Sequence, residues 1–222
     1  MSRTAEPAPR ATLRRLAVLS IFVAGIAGIG VGVVAHLLTD GRAQARGLPE
    51  FHGQAGWAPR EEPAPPFKLR DQKGVLVSLE ALRGRPVLLT FLDSRCEEQC
   101  PIMGSQLGTI LRDLAPGERP TLLIVSVDPA DDTPASIRKA MADWRLTGPW
   151  RWHWLRGTVR DLAPVWRDYG ITVQPTTSDI THGLVLYLID RSGFQRAGYL
   201  FPFLPNFLAL DLRTLAHATA GG

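Results

Sequence analysis

Two uninterrupted apolar runs limit the folds that this chain can adopt. They are Pro86–Leu92, with the sequence PVLLTFL, and Thr121–Val127, with the sequence TLLIVSV. Strands that are apolar on both faces are typical of parallel sheets, which are covered by helices on both sides. Because parallel strands need a crossover connection, we expect a helix between the two runs, from about Pro101 to Leu114.

The rest of the chain continues this alternation of strands and helices. Thr133 and Pro134 predict the N-cap and first residue of a second helix, and Thr158 predicts the N-cap of a third that ends near Gly170. The other predicted elements are an N-terminal hairpin (Phe67–Leu69 and Val75–Leu79), a short strand (Trp150–Trp154), a C-terminal hairpin (Gly183–Asp190 and Phe194–Leu200) and a helix from about Pro205. The pattern therefore predicts an α/β fold, a three-layer sandwich.

A further apolar segment, Leu16–Leu38, has 23 residues without a formal charge. As a helix it would be about 34 Å long, enough to cross a hydrocarbon core of about 30 Å. Arginines precede it and nearly balanced charges follow it, so we expect residues 1–15 in the cytoplasm and the domain on the extracytoplasmic face. We favour a retained transmembrane anchor over 16–38, and Ala43-Gln44-Ala45 leaves a cleaved signal peptide open as the alternative.

Residues 39–66 contain five prolines and few large apolar side chains. This composition favours an extended, semi-rigid spacer. We therefore expect one folded domain over 67–222, tethered to the cell membrane by a single-pass helix. The net charge is only +4 and the basic residues are dispersed, which argues against a nucleic-acid-binding protein.

Cys96 and Cys100 are the only two cysteines, and they directly follow the first predicted buried strand. The carboxyl end of such a strand is where α/β folds bind ligands. Pro101 predicts that the next helix begins there with Cys100 as its N-cap, so the helix dipole would favour a redox-active or metal-binding thiolate. A structural disulfide is the alternative, but closing a five-residue loop contributes only about 2 kcal/mol.

Two families of thiol-redox proteins, the thioredoxins and the peroxiredoxins, fit the positions of the cysteines less well. The C-x-x-x-C pattern has one residue more than the C-x-x-C of thioredoxins. The peroxiredoxin pattern would need a proline and a hydroxyl residue where this chain has Leu89 and Asp93.

Two soft thiolates suit copper(I), and an imidazole would complete a three-coordinate site. His182 directly precedes a predicted strand and is the candidate third ligand, although a loop histidine is more often an ordinary polar residue. The other four histidines fall in the anchor, the spacer, a core-like strand and the C-terminal region: His36, His52, His153 and His217.

Taken together, these motifs resemble the Sco/SenC family of membrane-anchored copper proteins. The matching segments, between about residues 67 and 196, are FKLRDQKGVLVSLEALRGRPVLLTF, the C-x-x-x-C-P ending at Pro101, SVDPADDTP, WHWLRG and HGLVLYLIDRSG. The resemblance implies a thioredoxin-like fold and a copper ion, Cu(I) or Cu(II), bound by Cys96, Cys100 and His182. Asp128 and Asp132 also match family positions. Asp128 would tune the charge of the site or the docking of a partner, and helix-terminus electrostatics ahead of Thr133 are the alternative explanation of Asp132.

The resemblance further implies a metallochaperone that delivers copper to the CuA centre of cytochrome c oxidase. Its partners would be the CuA-bearing subunit and a thiol reductant. The short segment Thr172–Thr181 and the C-terminal YLFPFLPNF depart from the family pattern and bear on partner recognition. The alternatives are a thiol–disulfide oxidoreductase acting on exported acceptor cysteines and a copper or redox sensor; a peroxidase fits least.

Overall fold

The computed structural model of the chain describes residues 51–175 and 180–218. The predicted cytoplasmic N-terminus, the predicted anchor over 16–38 and the first part of the predicted spacer lie outside these residues. Within the described ranges, no helix has the length and apolar character needed to cross a membrane.

A nine-stranded mixed sheet forms the centre of the domain. The strand bounds are β1 Ala55–Gly56, β2 Glu62–Pro63, β3 Lys68–Asp71, β4 Leu76–Ser78, β5 Val87–Leu92, β6 Thr121–Ser126, β7 Trp152–Arg156, β10 Val185–Ile189 and β11 Phe194–Leu200. These strands lie in the order β1-β11-β10-β5-β6-β7-β3-β4, and β2 also pairs with β11. The neighbours β5, β6 and β7 are parallel, whereas the other pairs of this sheet are antiparallel. A separate antiparallel pair consists of β8 Val173–Pro175 and β9 Ile180–His182.

Helices cover both faces of the sheet. They are α1 Gln99–Asp113, α2 Pro134–Asp143, α3 Val159–Asp168 and α4 Pro205–His217, with a 3₁₀ turn at Glu80–Leu82. Alternate side chains of β5 and β6 enter two separate cores, one shared with α1, α2 and α4 and the other shared with α3. The predicted three-layer α/β sandwich is confirmed, because the two apolar runs are strands buried on both faces.

The first turn of α1 differs from the prediction. The helix begins at Gln99 with Glu98 as its N-cap, so Cys100 is its second residue and not its cap. Pro101 is then the third helical residue. The first four N–H groups of a helix have no intrahelical partner, so a proline is tolerated there and the helix can begin two residues earlier than expected.

The predicted spacer over 39–66 is wrong for its second half. Strands β1 and β2 pair with β11, and Phe51 and Ala64 are buried in the two cores. Pro63 is compatible with β2 because a short edge strand tolerates a missing N–H donor. The folded domain therefore includes residues from Phe51 onward, and these cover an edge of β11 that would otherwise lack a partner.

His52, also assigned to the spacer, binds to α4. Its backbone N–H donates to Asp211 Oδ2 at 2.6 Å, and its Nδ1 lies 2.6 Å from Asp211 Oδ1. The imidazole stacks on Phe207 with a centroid separation of 4.6 Å. The hydroxyl of Tyr199 donates to the same buried carboxylate, so Asp211 joins the N-terminal segment, β11 and α4.

Candidate functional site

The two cysteines lie where β5 ends and α1 begins, at the carboxyl edge of the parallel strands. Asp93–Glu98 connect the two elements, and the N–H of Cys96 donates to the carbonyl of Asp93 at 3.4 Å. Cys96 is half-buried and Cys100 is buried, and neither is in a disulfide. The strand end predicted from the apolar run therefore does hold both thiols.

Cys96 lies at the amino end of α1, where its sulfur accepts hydrogen bonds as a thiolate. Its sulfur accepts a hydrogen bond from the thiol of Cys100, and this bond is the main cause that lowers the pKa of Cys96 to about 6. The backbone N–H of Cys100 donates to the same sulfur at 3.5 Å, and those of Glu98 and Gln99 lower its pKa further. Such convergence of donors favours an anion at a helix N-terminus. Cys96 is therefore the nucleophilic sulfur at neutral pH.

Cys100 is the thiol partner of this pair. Donation to Cys96 raises the pKa of Cys100, and burial raises it further. The pair thus carries one negative charge and one proton near neutral pH, shared between adjacent sulfurs.

His182 approaches the sulfur of Cys100 from the separate β8–β9 hairpin, in which it pairs with Val173. Its Nε2 lies 3.9 Å from Cys100 Sγ, and its Nδ1 lies 3.2 Å from the carbonyl oxygen of Gly183. A carbonyl only accepts hydrogen bonds, so in the neutral ring Nδ1 carries the proton and the Nε2 lone pair faces Cys100. The hairpin itself was not predicted.

The spacing of Cys100 and His182 fits two ligands of one metal ion. Metal–sulfur and metal–nitrogen bonds of about 2.3 and 2.0 Å at about 120° place the two donor atoms about 3.7 Å apart. The observed separation of Cys100 Sγ and His182 Nε2 is 3.9 Å. Within 51–175 and 180–218, no three His, Cys, Asp or Glu side chains form a ready-made metal group, and Cys96 contacts the site through its hydrogen bonds to Cys100.

The other described histidines are held by carboxylates away from this site. His52 contacts Asp211, His153 Nδ1 lies 2.9 Å from Asp71 Oδ2, and His217 Nε2 lies 3.3 Å from Glu118 Oε1. Of the histidines in the described ranges, His182 is the one in contact with a cysteine.

Three buried carboxylates, Asp93, Asp128 and Asp132, lie behind the cysteine loop. Burial raises the pKa of Asp93 to about 7, and the negative charges of Asp132, Asp128 and Cys96 add to this effect. Asp93 was not predicted as a site residue. Its only signal in the sequence is its position, directly after a buried strand and three residues before a cysteine.

Asp128 and Asp132 have clear structural roles. Asp128 Oδ1 accepts from the backbone N–H groups of Ala130 and Asp131 at 3.1 and 3.3 Å, which closes the turn after β6. Asp132 Oδ1 accepts from the N–H of Ser94 at 2.8 Å, and its Oδ2 accepts from Trp154 Nε1 at 3.1 Å. Asp132 therefore fixes the cysteine loop to the centre of the sheet. Neither interpretation of Asp132 from the sequence included this role.

A model of the SCO1/SenC family matches residues 57–216, more than half of the chain. The chain belongs to the SCO1/SenC family. Among curated relatives it is similar to Protein SCO2 homolog, mitochondrial, of Bos taurus, at 30% identity over 138 residues, which are 57% of this chain and 50% of that protein. The chain spans about half the length of the first curated relatives that it matches.

Solved structures of the family share this fold. The copper-bound ScoI of Bradyrhizobium japonicum is 27% identical, with a TM-score of 0.57 over 68% of this chain and 98% of that one. BsSco, a member of the Sco family of cytochrome c oxidase assembly proteins in which a disulfide switch was identified, is 23% identical, with a TM-score of 0.60 over 73% of this chain and 98% of that one. These matches confirm the thioredoxin-like α/β sheet fold that the motifs implied.

Proposed function

We propose that this SCO1/SenC protein is a metallochaperone that binds copper through Cys96, Cys100 and His182 and delivers it to the CuA centre of cytochrome c oxidase. The observation that carries the proposal is the 3.9 Å approach of His182 Nε2 to Cys100 Sγ, beside a sulfur that is already a thiolate. Copper bound to the relative ScoI and the assignment of BsSco to an oxidase assembly family support the metal and the acceptor.

The chemistry of the site supports capture of Cu(I). Two thiolates and one neutral imidazole form a soft, three-coordinate ligand set. Cys96 needs no proton removed at neutral pH, whereas binding through Cys100 releases the proton that the two sulfurs share. A low coordination number leaves room for a ligand of the acceptor to bind before a ligand of the donor leaves.

We propose that residues 16–38 tether the domain to the cell membrane, with the copper site on the extracytoplasmic face. The uncharged run over 16–38 and the arginines before it support this placement. A tether would hold the donor at the surface in which the oxidase lies, which raises its effective concentration.

A Cu(I) titration of the reduced full-length chain, under anaerobic conditions and against a competing chelator, tests the ligand set. His182→Ala should weaken Cu(I) binding by about tenfold to a hundredfold or more. Loss of a residue that only supports a metal ligand has an effect of this size, and a direct ligand should contribute at least as much. His217→Ala is the matched control, since its exposed ring contacts Glu118 and no cysteine. Equal affinity in wild type and His182→Ala would refute the ligand set, and failure of the loaded chain to metallate the apo CuA domain would refute the acceptor.

The hydrogen-bonded dithiol also favours a second candidate, a thiol–disulfide oxidoreductase. The Cys96 thiolate would attack an acceptor disulfide and release one acceptor thiolate. Cys100, after losing its proton, would then attack Cys96 to form the Cys96–Cys100 disulfide and release the second thiolate. Two electrons pass to the acceptor, which leaves as a dithiol after taking up the Cys100 proton and one proton from water. His182→Ala distinguishes the two candidates, because it should preserve reductase activity while weakening copper binding.

A further inference from the structure

A second concave surface lies between β3, β4 and the start of α3. It encloses about 450 Å³ and is lined by three basic side chains, Lys68, Arg70 and Arg156, and one acidic side chain, Asp161. The carboxylate of Asp161 accepts from the backbone N–H and the hydroxyl of Thr158 at 2.8 and 2.7 Å, so it caps α3. We call the surface formed by Lys68, Arg70 and Arg156 the basic groove.

The arginines of the basic groove face each other without a counter-ion. Arg70 and Arg156 are direct partners in the antiparallel pairing of β3 with β7, which places their side chains on one face. Across residues 51–175 and 180–218, no carboxylate forms an ion pair with either arginine or with Lys68. Like charges directly opposite each other destabilise a strand pair. An anionic group in the groove would remove that repulsion.

The basic groove opens at the same end of the sheet as the cysteine loop. Arg156 is the last residue of β7 and Leu92 is the last residue of β5, and both strands run parallel to β6 between them. Two strand spacings correspond to about 10 Å. A macromolecule that contacts Cys96 can therefore reach Arg156 at the same time.

We propose that the basic groove is a docking subsite for an acidic segment of the protein that exchanges copper or electrons with the cysteine loop. The identity of this partner rests on the proposed function, whereas binding of an acidic segment does not. Leu76, which is 49% exposed, also lines the groove and offers an apolar contact beside the cations. An anionic bilayer is the less suitable occupant, because a membrane covering this end of the sheet would also obstruct the cysteine loop.

The test uses the reduced, copper-free full-length chain in nanodiscs and an oligoglutamate peptide as the probe. The chain has three lysines, Lys68, Lys73 and Lys139, so acetylation at each can be followed separately by mass spectrometry. In phosphatidylcholine nanodiscs the peptide should protect Lys68, and added salt should reverse this protection. Lys139, on α2 with its side chain 77% exposed, is the internal reference and should not be protected.

A pair of charge reversals on one strand provides the matched control. Arg156→Glu should weaken peptide binding by about tenfold, as expected for a reversed charge in an electrostatic contact. Arg151→Glu should leave it unchanged, because Arg151 is exposed and precedes β7 at the opposite end of the sheet. Equal peptide affinity in the two variants would overturn the proposal. So would protection of Lys68 by phosphatidylglycerol in the nanodisc without any protection by the peptide.

Copper measurements on the same variants separate this inference from the proposed function. Arg156→Glu should retain wild-type Cu(I) affinity but slow transfer to the apo CuA domain, and the effect should diminish with salt. If Arg156→Glu transferred copper at the wild-type rate, the assignment of the copper acceptor to this groove would be overturned. If the chain bound the peptide but no copper, the metallochaperone function would be refuted, and the proposal that the groove binds an acidic segment would be supported.

Discussion

The backbone N–H of Cys100 donates to the sulfur of Cys96 at 3.5 Å, so the first cysteine binds to the amino end of the helix that contains the second. Together with the hydrogen bond from the Cys100 thiol, which is the larger cause of the lowered pKa of Cys96, this contact gives the two thiols different chemical roles. Cys96 carries the negative charge, and Cys100 is the buried proton donor.

We expect the Cys96 thiol of the reduced, metal-free chain to titrate near its lowered pKa of about 6. Alkylation of Cys96 by iodoacetamide should therefore reach half of its maximal rate near that pH. Cys100→Ala removes the thiol donor and leaves the backbone donors, so the midpoint should move up towards the usual value of 9.0. Peptide mass spectrometry across the pH range measures both profiles. An unchanged midpoint in Cys100→Ala would mean that the backbone donors alone set the pKa.

Asp93 should make the free energy of unfolding depend on pH. Its pKa is raised from 3.8 to about 7, so between these values the folded chain keeps a proton that the unfolded chain has lost. Stability therefore falls as the pH rises through this window, and Asp93→Asn should remove the part of the fall that Asp93 contributes. Above the window the variant should be more stable than its parent, by up to about 4 kcal/mol.

The Asp93 measurement needs a background without the Cys96 thiol. The lowered pKa of Cys96 acts with the opposite sign, raising stability as the pH increases from about 6 to 9. Urea unfolding of Cys96→Ser, with and without Asp93→Asn, isolates the carboxyl group. Parallel pH profiles for the two proteins would contradict the expected role of Asp93.

Asp132→Ala should destabilise the domain and loosen the cysteine loop. The change removes the acceptor of the Ser94 N–H and of the Trp154 indole N–H. An unsatisfied buried donor costs about 1–3 kcal/mol, so the expected loss for the two donors is about 2–6 kcal/mol. Asp131→Ala is the neighbouring control, because that side chain is exposed and should change stability by less than about 0.5 kcal/mol. Urea unfolding gives the energies, and equal losses in both variants would count against the role of Asp132.

Phe51→Ala tests where the folded domain begins. Phe51 is 3% exposed, and the guanidinium of Arg196 lies 5.0 Å from its ring centroid. Removing a buried phenylalanine side chain costs about 3–5 kcal/mol. Phe207→Ala makes the same change at a ring that is 37% exposed, and it should cost clearly less. If Phe51→Ala proved neutral, residues near Phe51 would behave as the spacer that their composition suggested.

Elements with local signals could be predicted from the sequence. β5 and β6 follow from their apolar runs, and Thr133 and Thr158 each form the capping contact that their position indicated. These elements depend on nearest neighbours, capping and burial on both faces, all of which are visible in a short window of residues.

Elements stabilised by distant partners could not be predicted in this way. The pairing of β1 with β11 joins Ala55 to Gly198, and the two segments carry no complementary pattern. For the same reason the hairpin that holds His182 was missed. The cysteines were recognisable from their place after a buried strand, whereas Asp93 and Asp132 gain their importance from burial, which appears only once the sheet and helices have packed.

His182 belongs to the β8–β9 hairpin, 82 positions beyond Cys100 in the chain, whereas Cys96 and Cys100 both lie where β5 is followed by the amino end of α1. An ion held by all three would cross-link two segments that are far apart in the sequence, so loading should slow hydrogen exchange in β9. Withdrawal of the hairpin would uncover one side of the ion while both sulfurs stayed in place. If copper is bound as proposed, its departure route would be directional, because an incoming ligand would enter through the gap that the imidazole leaves.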